Sequence, residues 1–119
     1  LDWVESNLAG GEPAANVQAT LLALSATSIA SAIERWCGMP DELAVCGGGA
    51  HNSTLLKHLS LLLPNTRIIT SDVLGIGVDW VEAAAFAWLA RQNLMGLPGN
   101  LPAVTGARGE RILGAVYPR

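Results

Sequence analysis

A run of three glycines stands between an apolar segment and a helix start, and this junction constrains the fold more than any other feature. Residues 43–46 are a short, unbroken apolar run, which is typical of a buried strand in a parallel sheet. Residues 47–49 are glycines, and Asn52 follows where it can cap a helix. Glycines let a ligand approach the backbone closely, and the N–H groups of a helix start attract anions or polar edges. The junction therefore predicts either a ligand-binding turn or a plain strand-to-helix turn that needs glycine.

The segments on either side of this junction alternate between helix and strand. A wide apolar stripe predicts a long first helix that begins at Pro13 and stops at Gly38, which would adopt a positive φ. Leucines at helical spacing predict a second helix that ends at Pro64, and the β-branched residues 66–70 predict a second strand. We therefore expect an α/β fold of parallel strands flanked by long helices.

The last part of the chain predicts a third helix over residues 79–95, which is apolar on nearly all sides and is expected to be central and buried. Asp79-x-x-Glu82 has the spacing of a capping box, in which Asp79 caps the helix. The carboxylate of Glu82 could instead face sugar hydroxyls. Residues 112–117 predict either a last strand or an extended packing segment. Two or three strands are too few to cover three long helices, so we expect further elements to be missing from this chain.

Composition narrows the classes of function. The chain has 119 residues, 14% of them charged, and a net charge of −3, which predicts one folded domain over 1–119 without an internal boundary. Its seven Lys and Arg residues are scattered, which argues against nucleic acid as a partner. Polar residues interrupt every apolar stretch before the ~20 residues that a membrane span needs, so a cytoplasmic location is expected. The chain begins at Leu1 and not at methionine, which favours a fragment.

Cysteine and histidine chemistry is sparse. Cys37 and Cys46 are too few for a disulfide framework, and their surroundings predict buried, reduced thiols. No pair of Cys or His residues stands at zinc spacing, so we expect no metal site in this chain. His51 is interpreted as a loop residue that supports a site, because no Ser, Cys or Asp stands at a spacing typical of a catalytic triad.

Two alternatives remain open from the residues alone. The glycine run is not a phosphate-binding P-loop, because no Gly-Lys-Ser/Thr follows it. Gly47-x-Gly49-x-x-Asn52 approximates a dinucleotide-binding fingerprint, with Asp72 at a strand end where an acidic residue would hold a ribose, although Asn52 replaces the third glycine. One alternative is thus a small dinucleotide-binding module of the Rossmann type. The other is a non-catalytic helical interaction domain whose glycine turn is only structural.

Four separated motifs in a fixed order carry a resemblance that is more specific than any one of them. They are CGGGAHN from Cys46, LPN from Leu63, DxxEAxAFAWLA from Asp79 and GNLPxVTGA from Gly99. Together they resemble the carboxyl-terminal part of the anhydro-N-acetylmuramic acid kinase family, over essentially the whole chain. The resemblance implies an actin-like, hexokinase-like ATPase with a ribonuclease H-like fold. It makes this chain part of the second lobe, at roughly the last third of the enzyme.

The resemblance also implies an activity for the full enzyme. ATP with Mg²⁺, together with water, would open the 1,6-anhydro ring of anhydro-N-acetylmuramic acid and phosphorylate O6, giving N-acetylmuramic acid 6-phosphate in the recycling of bacterial peptidoglycan. Carried onto matching positions, Gly47, Gly48, Gly49 and Asn52 would bind ATP, and Glu82 would contact the sugar.

The same resemblance places the catalytic aspartate and the phosphate loops upstream of this region. We therefore expect neither a catalytic residue nor a metal ligand in this chain, and we expect the isolated chain to be inactive. The missing amino-terminal part is the expected protein partner, and a homodimer is left open.

Overall fold

The computed structural model describes residues 2–117, which form helices and two short strands. The helices are α1 (Asp2–Ser6), α2 (Ala14–Cys37), α3 (Ser53–Leu62), α4 (Val81–Leu94) and α5 (Pro102–Thr105). The strands are β1 (Glu42–Val45) and β2 (Arg67–Thr70), and each is followed by a 3-10 turn, Gly48–His51 and Ser71–Leu74. The α/β class predicted from the sequence is confirmed. The short helix α5 falls in a region for which only turns were expected.

The two strands form a parallel sheet in which Glu42 pairs with Arg67 and Val45 pairs with Thr70. The guanidinium of Arg67 also forms an ion pair with the carboxylate of Glu42. Strand β1 begins and ends one residue before the predicted bounds. Because the strands are parallel, the turns that follow β1 and β2 lie at the same edge of the sheet.

The core lies where α2 packs against α3 and α3 packs on the sheet. Leu59 and Leu63 are completely or almost completely buried, as the leucine spacing predicted. Ala26 and Ala30 are the buried residues of α2, and their small side chains let the two helices approach closely. This packing fixes α3, and with it the position of the glycine turn at its amino end.

The two predicted helix ends are largely confirmed. Helix α2 starts directly after Pro13 and ends before Gly38, whose φ of 73° is positive as expected, although its ψ of −149° lies outside the left-handed helical region. The side chain of Asn52 caps α3, since its Oδ1 accepts a hydrogen bond of 3.0 Å from the backbone N–H of Leu55.

Helix α4 is exposed, and the expectation of a central, buried helix is wrong for the part of the chain that the structure describes. None of its residues is buried, and Phe86 and Trp88 are 64% and 49% exposed. Within residues 2–117 no second layer packs on this helix apart from the chain's own tail. There the side chain of Asn93 donates to the carbonyl of Leu113 at 2.8 Å. Residues 112–117 therefore form an extended packing segment and not a strand.

The chain exposes far more surface than a compact protein of its mass. Its accessible area is 9015 Å², whereas a compact chain of 12.4 kDa exposes about 6,100 Å². Its radius of gyration is 18.6 Å, against about 13.5 Å for a compact domain of this length. Much of the additional surface is apolar and includes Trp36, Trp80 and Leu94, all more than 70% exposed. The low fraction of charged residues thus goes together with a large exposed apolar surface.

Helix α2 is long and apolar enough to cross a membrane, judged by length and composition alone. It has 24 residues, and its most apolar 18-residue window has a mean hydropathy of 1.3 and is 11% buried. The expectation that every apolar stretch falls short of a span is therefore wrong. A single such helix is weak evidence for a membrane, because core helices of soluble proteins pass the same test. The packing of α2 on α3 is the contact expected of such a core helix.

Both cysteines are exposed, so the expectation of buried thiols is also wrong. Cys37 is the last residue of α2, and Cys46 follows β1 at the open edge of the sheet. They form no disulfide with each other. Their apolar sequence surroundings suggested burial, but in this chain those surroundings are themselves largely exposed.

Candidate functional site

The candidate site is built on the edge of the sheet where both parallel strands end. Strand β1 leads into Cys46 and Gly47, and β2 leads into Ser71 and Asp72. A third segment reaches the same edge, because the backbone N–H of Gly47 donates to the carbonyl of Val78 at 2.9 Å. In open α/β sheets, ligands bind at the carboxyl ends of the strands. The fold therefore brings the glycine turn and the approach to α4 together at the usual ligand-binding edge.

Gly47 is required by the backbone itself. Its φ of 67° lies in the region that side-chain-bearing residues rarely adopt, and this conformation turns the chain sharply out of β1. Its carbonyl then accepts a bond of 3.0 Å from the N–H of Ala50, which closes the 3-10 turn. A plain structural role thus explains this glycine.

Gly48 is not explained in that way. Its φ is not positive, and a Cβ atom built on it would meet no atom within 4 Å. The fold would therefore accept a side chain at this position. Gly48 is also one of the residues that line a cleft at this edge of the sheet. Gly48 is the position at which the sequence supplies a glycine that the described fold does not need.

Gly49 and Asn52 support the turn and do not line this cleft. A Cβ on Gly49 would stand 3.6 Å from the side chain of Leu55, an ordinary contact, and the Gly49 carbonyl accepts from the N–H of Asn52 at 3.1 Å. Asn52 caps α3 and lines a separate depression beside Gln18 of α2. Of the four residues assigned to ATP, Gly47 and Gly48 thus line the cleft, whereas Gly49 and Asn52 support the turn outside it.

Glu82 lies in the same cleft as Gly47 and Gly48. The cleft has a volume of about 420 Å³ and is also lined by Cys46, Val78, Asp79, Val81 and Ala85. Glu82 is exposed in the first turn of α4, so its carboxylate is available to hydroxyl groups of a ligand. Two regions that the sequence analysis assigned to ATP and to the sugar are therefore adjacent in the structure.

The capping box predicted at the start of α4 does not form. Trp80, not Asp79, is the residue that precedes the helix, and no side chain caps its N–H groups. The side chain of Asp79 instead binds His51, with 2.9 Å between Oδ1 and Nε2. Both side chains are well exposed, at 60% for His51 and 67% for Asp79. Local sequence signals do not predict this pair, because the two residues are 28 positions apart and match no motif spacing.

Asp72 lies in a neighbouring cleft of about 370 Å³, together with His51, Thr70, Asp79 and Trp80. Asp79 and Val78 border both clefts. Among the residues that the structure describes, no group of three His, Cys, Asp or Glu side chains is placed to hold a metal ion. This edge of the sheet thus presents backbone groups, the carboxylates of Asp72, Asp79 and Glu82, and the imidazole of His51 to the two clefts.

The fold and the cleft define a class of protein: an α/β protein with a cleft between a glycine turn at the carboxyl end of a parallel strand and the carboxylate of Glu82 on α4, the helix after the second strand. Comparison with known families identifies which one. The family model described as anhydro-N-acetylmuramic acid kinase matches residues 1–119. The chain belongs to the anhydro-N-acetylmuramic acid kinase family.

Individual relatives agree with this assignment. The anhydro-N-acetylmuramic acid kinase of Nitrosomonas europaea is 54% identical over 118 residues, which cover 99% of this chain and 32% of the relative. That of Nitrosospira multiformis is 53% identical over 116 residues, covering 98% of this chain and 32% of the relative. That of Pseudomonas fluorescens is 51% identical over 120 residues, covering 99% and 33%. The chain therefore spans about a third of the length of the curated relatives it matches.

Family membership confirms the resemblance found from the four motifs. It also overturns the two alternatives that the residues alone left open, a small dinucleotide-binding module and a helical interaction domain. Asp72, the residue on which the dinucleotide reading depended, stands at the predicted strand end but not in the cleft that Gly47 and Gly48 line.

Proposed function

We propose that this chain forms part of an ATP-dependent kinase that opens the 1,6-anhydro ring of anhydro-N-acetylmuramic acid with water and phosphorylates O6. The product is N-acetylmuramic acid 6-phosphate, an intermediate suited to the recycling of peptidoglycan. The observation that carries the proposal is the shared cleft, which Gly47 and Gly48 of the glycine turn line together with Glu82.

The glycine turn would hold the adenosine part of ATP. At Gly47 and Gly48 a Cβ atom would meet nothing within 4 Å, so a flat base or a ribose has room to lie against the backbone. Gly49 and Asn52 would act on ATP indirectly, since one packs behind the turn and the other caps α3. This arrangement fits a nucleotide that is bound through close backbone approach.

Glu82 would bind the sugar. Its carboxylate offers acceptor oxygens for hydroxyl groups, and hydrogen bonds to a charged acceptor are stronger than neutral ones. Because the side chain is not engaged in capping α4, its oxygens are free to turn toward a ligand in the cleft. Glu82 would thus orient the acceptor beside the nucleotide.

The remaining parts of the active site would come from outside this chain. Phosphoryl transfer depends on positioning and on neutralising charge around the γ-phosphate, and the described residues offer no metal-binding cluster for that purpose. Mg²⁺ would be held by the phosphates of ATP and by residues of the other part of the kinase. The catalytic aspartate and the phosphate loops are assigned to that part as well. The isolated chain would therefore bind nucleotide weakly and not turn over.

The large apolar surface supports this division of the enzyme. The chain exposes roughly 2,900 Å² more than a compact protein of its mass. Burying such a surface against the rest of an actin-like, two-lobed kinase would cover α4 and complete the thin sheet, of which this chain would form part of the second lobe. With ATP as co-substrate, the complete protein would work in the cytoplasm, with α2 as a core helix.

A chimera tests the proposal. The 119 residues replace the matching third of the Nitrosomonas europaea relative, and mass spectrometry follows the conversion of anhydro-N-acetylmuramic acid to its 6-phosphate in the presence of Mg-ATP. The expected result is product with the chimera and none with the same relative lacking the matched third. A chimera that unfolds cooperatively but forms no product contradicts the proposal.

A further inference from the structure

We infer that His51 and Asp79 are positioning residues, whose hydrogen bond fixes the glycine turn relative to the helix that carries Glu82. The inference rests on the proposed function, because it concerns the two halves of the same cleft. Neither residue is proposed to touch the reacting atoms.

The two halves of the cleft are joined at two points. The N–H of Gly47 donates to the carbonyl of Val78 at the start of the turn, and His51 binds Asp79 at its end. The backbone of Gly48 lies between these points. Val78 and Asp79 are consecutive residues. The two hydrogen bonds therefore hold both ends of the glycine turn to the same short segment.

That segment leads directly into α4. Asp79 precedes Glu82 by three residues, and no side chain caps the start of the helix. Helix α4 does not pack extensively on α2, α3 or the sheet in the part of the chain that the structure describes. The position of Glu82 relative to Gly48 therefore depends on the bonds at Val78 and Asp79 more than on core packing.

The chemistry of the pair suits a fixed link. The carboxylate of Asp79 is an acceptor, so the imidazole of His51 carries a proton on Nε2 and donates it in the 2.9 Å bond. This use of Asp79 also explains why the capping-box spacing at Asp79 and Glu82 does not produce a cap. The hydrogen bond between His51 and Asp79 joins residues 28 positions apart and takes Asp79 away from capping α4. We therefore assign it the role of holding the two segments together.

The test uses the chimera and measures KM for ATP, KM for the sugar and kcat. We expect His51→Ala and Asp79→Ala each to raise KM for ATP by about two- to fivefold, the size of effect of one exposed side-chain pair. The double variant should be no worse than either single variant, because both remove the same bond. His51→Gln should restore KM, since its amide nitrogen can donate in place of Nε2, and Asp79→Asn should do so through its remaining acceptor oxygen.

His58→Ala is the matched control. His58 is the other histidine of the chain and lies on α3, half-buried and outside both clefts. It should leave KM for ATP at the parent value.

The outcomes separate the two claims. An active parent chimera whose KM for ATP is unchanged in His51→Ala, or whose single effects add in the double variant, overturns the positioning role and leaves the proposed function standing. A loss of thermal stability without a change in KM overturns it as well, because that is the behaviour of a purely structural link. A folded parent chimera without activity overturns the proposed function and this inference with it.

Discussion

Gly48→Ala adds one methyl group to the glycine turn at a position where the fold leaves room for it. Gly48 opens the 3-10 turn, its φ is not positive, and the new Cβ would meet no atom within 4 Å. Replacing glycine by alanine at a compatible backbone position stabilises a protein by about 0.4–1 kcal/mol, because the unfolded chain loses conformational freedom. The variant should therefore unfold at a slightly higher temperature than the parent.

The effect on nucleotide binding should have the opposite sign. If the base or ribose of ATP lies against the backbone of Gly48, the methyl group occupies part of its space. Inserting a methyl group into a packed contact costs about 1–3 kcal/mol. That range corresponds to about a 5- to 150-fold weaker Kd. One substitution should thus raise the stability of the protein and lower its affinity for ATP.

Thermal unfolding and the KM for ATP, both measured on the chimera, check this prediction. Gly109→Ala is the matched control: its φ is also not positive, its Cβ would meet only the flexible tip of Arg111 at 3.4 Å, and it lies in the tail. This control should raise the unfolding temperature by a similar amount, for the same reason, and leave KM for ATP unchanged. An unchanged KM for ATP in Gly48→Ala refutes close approach at the turn. A fall in the unfolding temperature refutes the argument that the fold does not need this glycine.

Three further predictions follow from single positions in the chimera. Gly47→Ala should lower the free energy of unfolding by about 1–3 kcal/mol, since its φ of 67° with ψ of −166° is a combination that essentially only glycine adopts, and urea denaturation measures the loss. Leu63→Ala should cost about 2–5 kcal/mol in the same assay, because Leu63 is fully buried in the core; a loss below 1 kcal/mol would contradict that placement. Glu82→Gln should raise KM for the sugar by about tenfold, the effect of replacing a charged acceptor by a neutral one, and leave KM for ATP unchanged.

Local sequence signals predicted the elements whose stability is decided locally or within a short span. The leucine spacing predicted burial of Leu59 and Leu63, although Leu62 of the same pattern is 39% exposed. Asn52 marked the start of α3, because capping depends only on the next few residues. The apolar run before the glycines predicted a parallel strand, and β1 pairs in parallel with β2. These elements would form in much the same way whatever covers the rest of the chain.

Burial was predicted less well, for a physical reason. The alanine-rich, apolar sequence of α4 and the surroundings of Cys46 indicate residues suited to an interior, but burial also requires a partner surface. Within residues 2–117 no such surface covers them, and both are exposed. Sequence patterns thus predict which residues are suited to burial. They do not predict whether the surface that would bury those residues belongs to the same chain.

The sequence predicts the glycine turn and Glu82 as site residues, but it does not predict how they are placed relative to each other. Both are candidates from the residues themselves, and the resemblance to the kinase family assigns ATP to the turn and the sugar to Glu82. The structure adds that Gly47, Gly48 and Glu82 line one cleft. The link between His51 and Asp79 could not be predicted, because it joins residues from two different loops. Local spacing at Asp79 favoured a cap, and the tertiary contact with His51 replaced it.

Hydrogen–deuterium exchange of the chimera, with and without a non-hydrolysable ATP analogue, tests the central claim that this glycine turn binds the nucleotide. The account predicts that the analogue slows exchange in the peptide containing Gly47, Gly48 and Gly49, while the tail peptide around Gly109 is unchanged. NAD, used as a control ligand, should have no effect on either peptide. A chimera that is thermally stabilised by the ATP analogue but exchanges at the same rate across the glycine turn would place the nucleotide elsewhere and contradict the account.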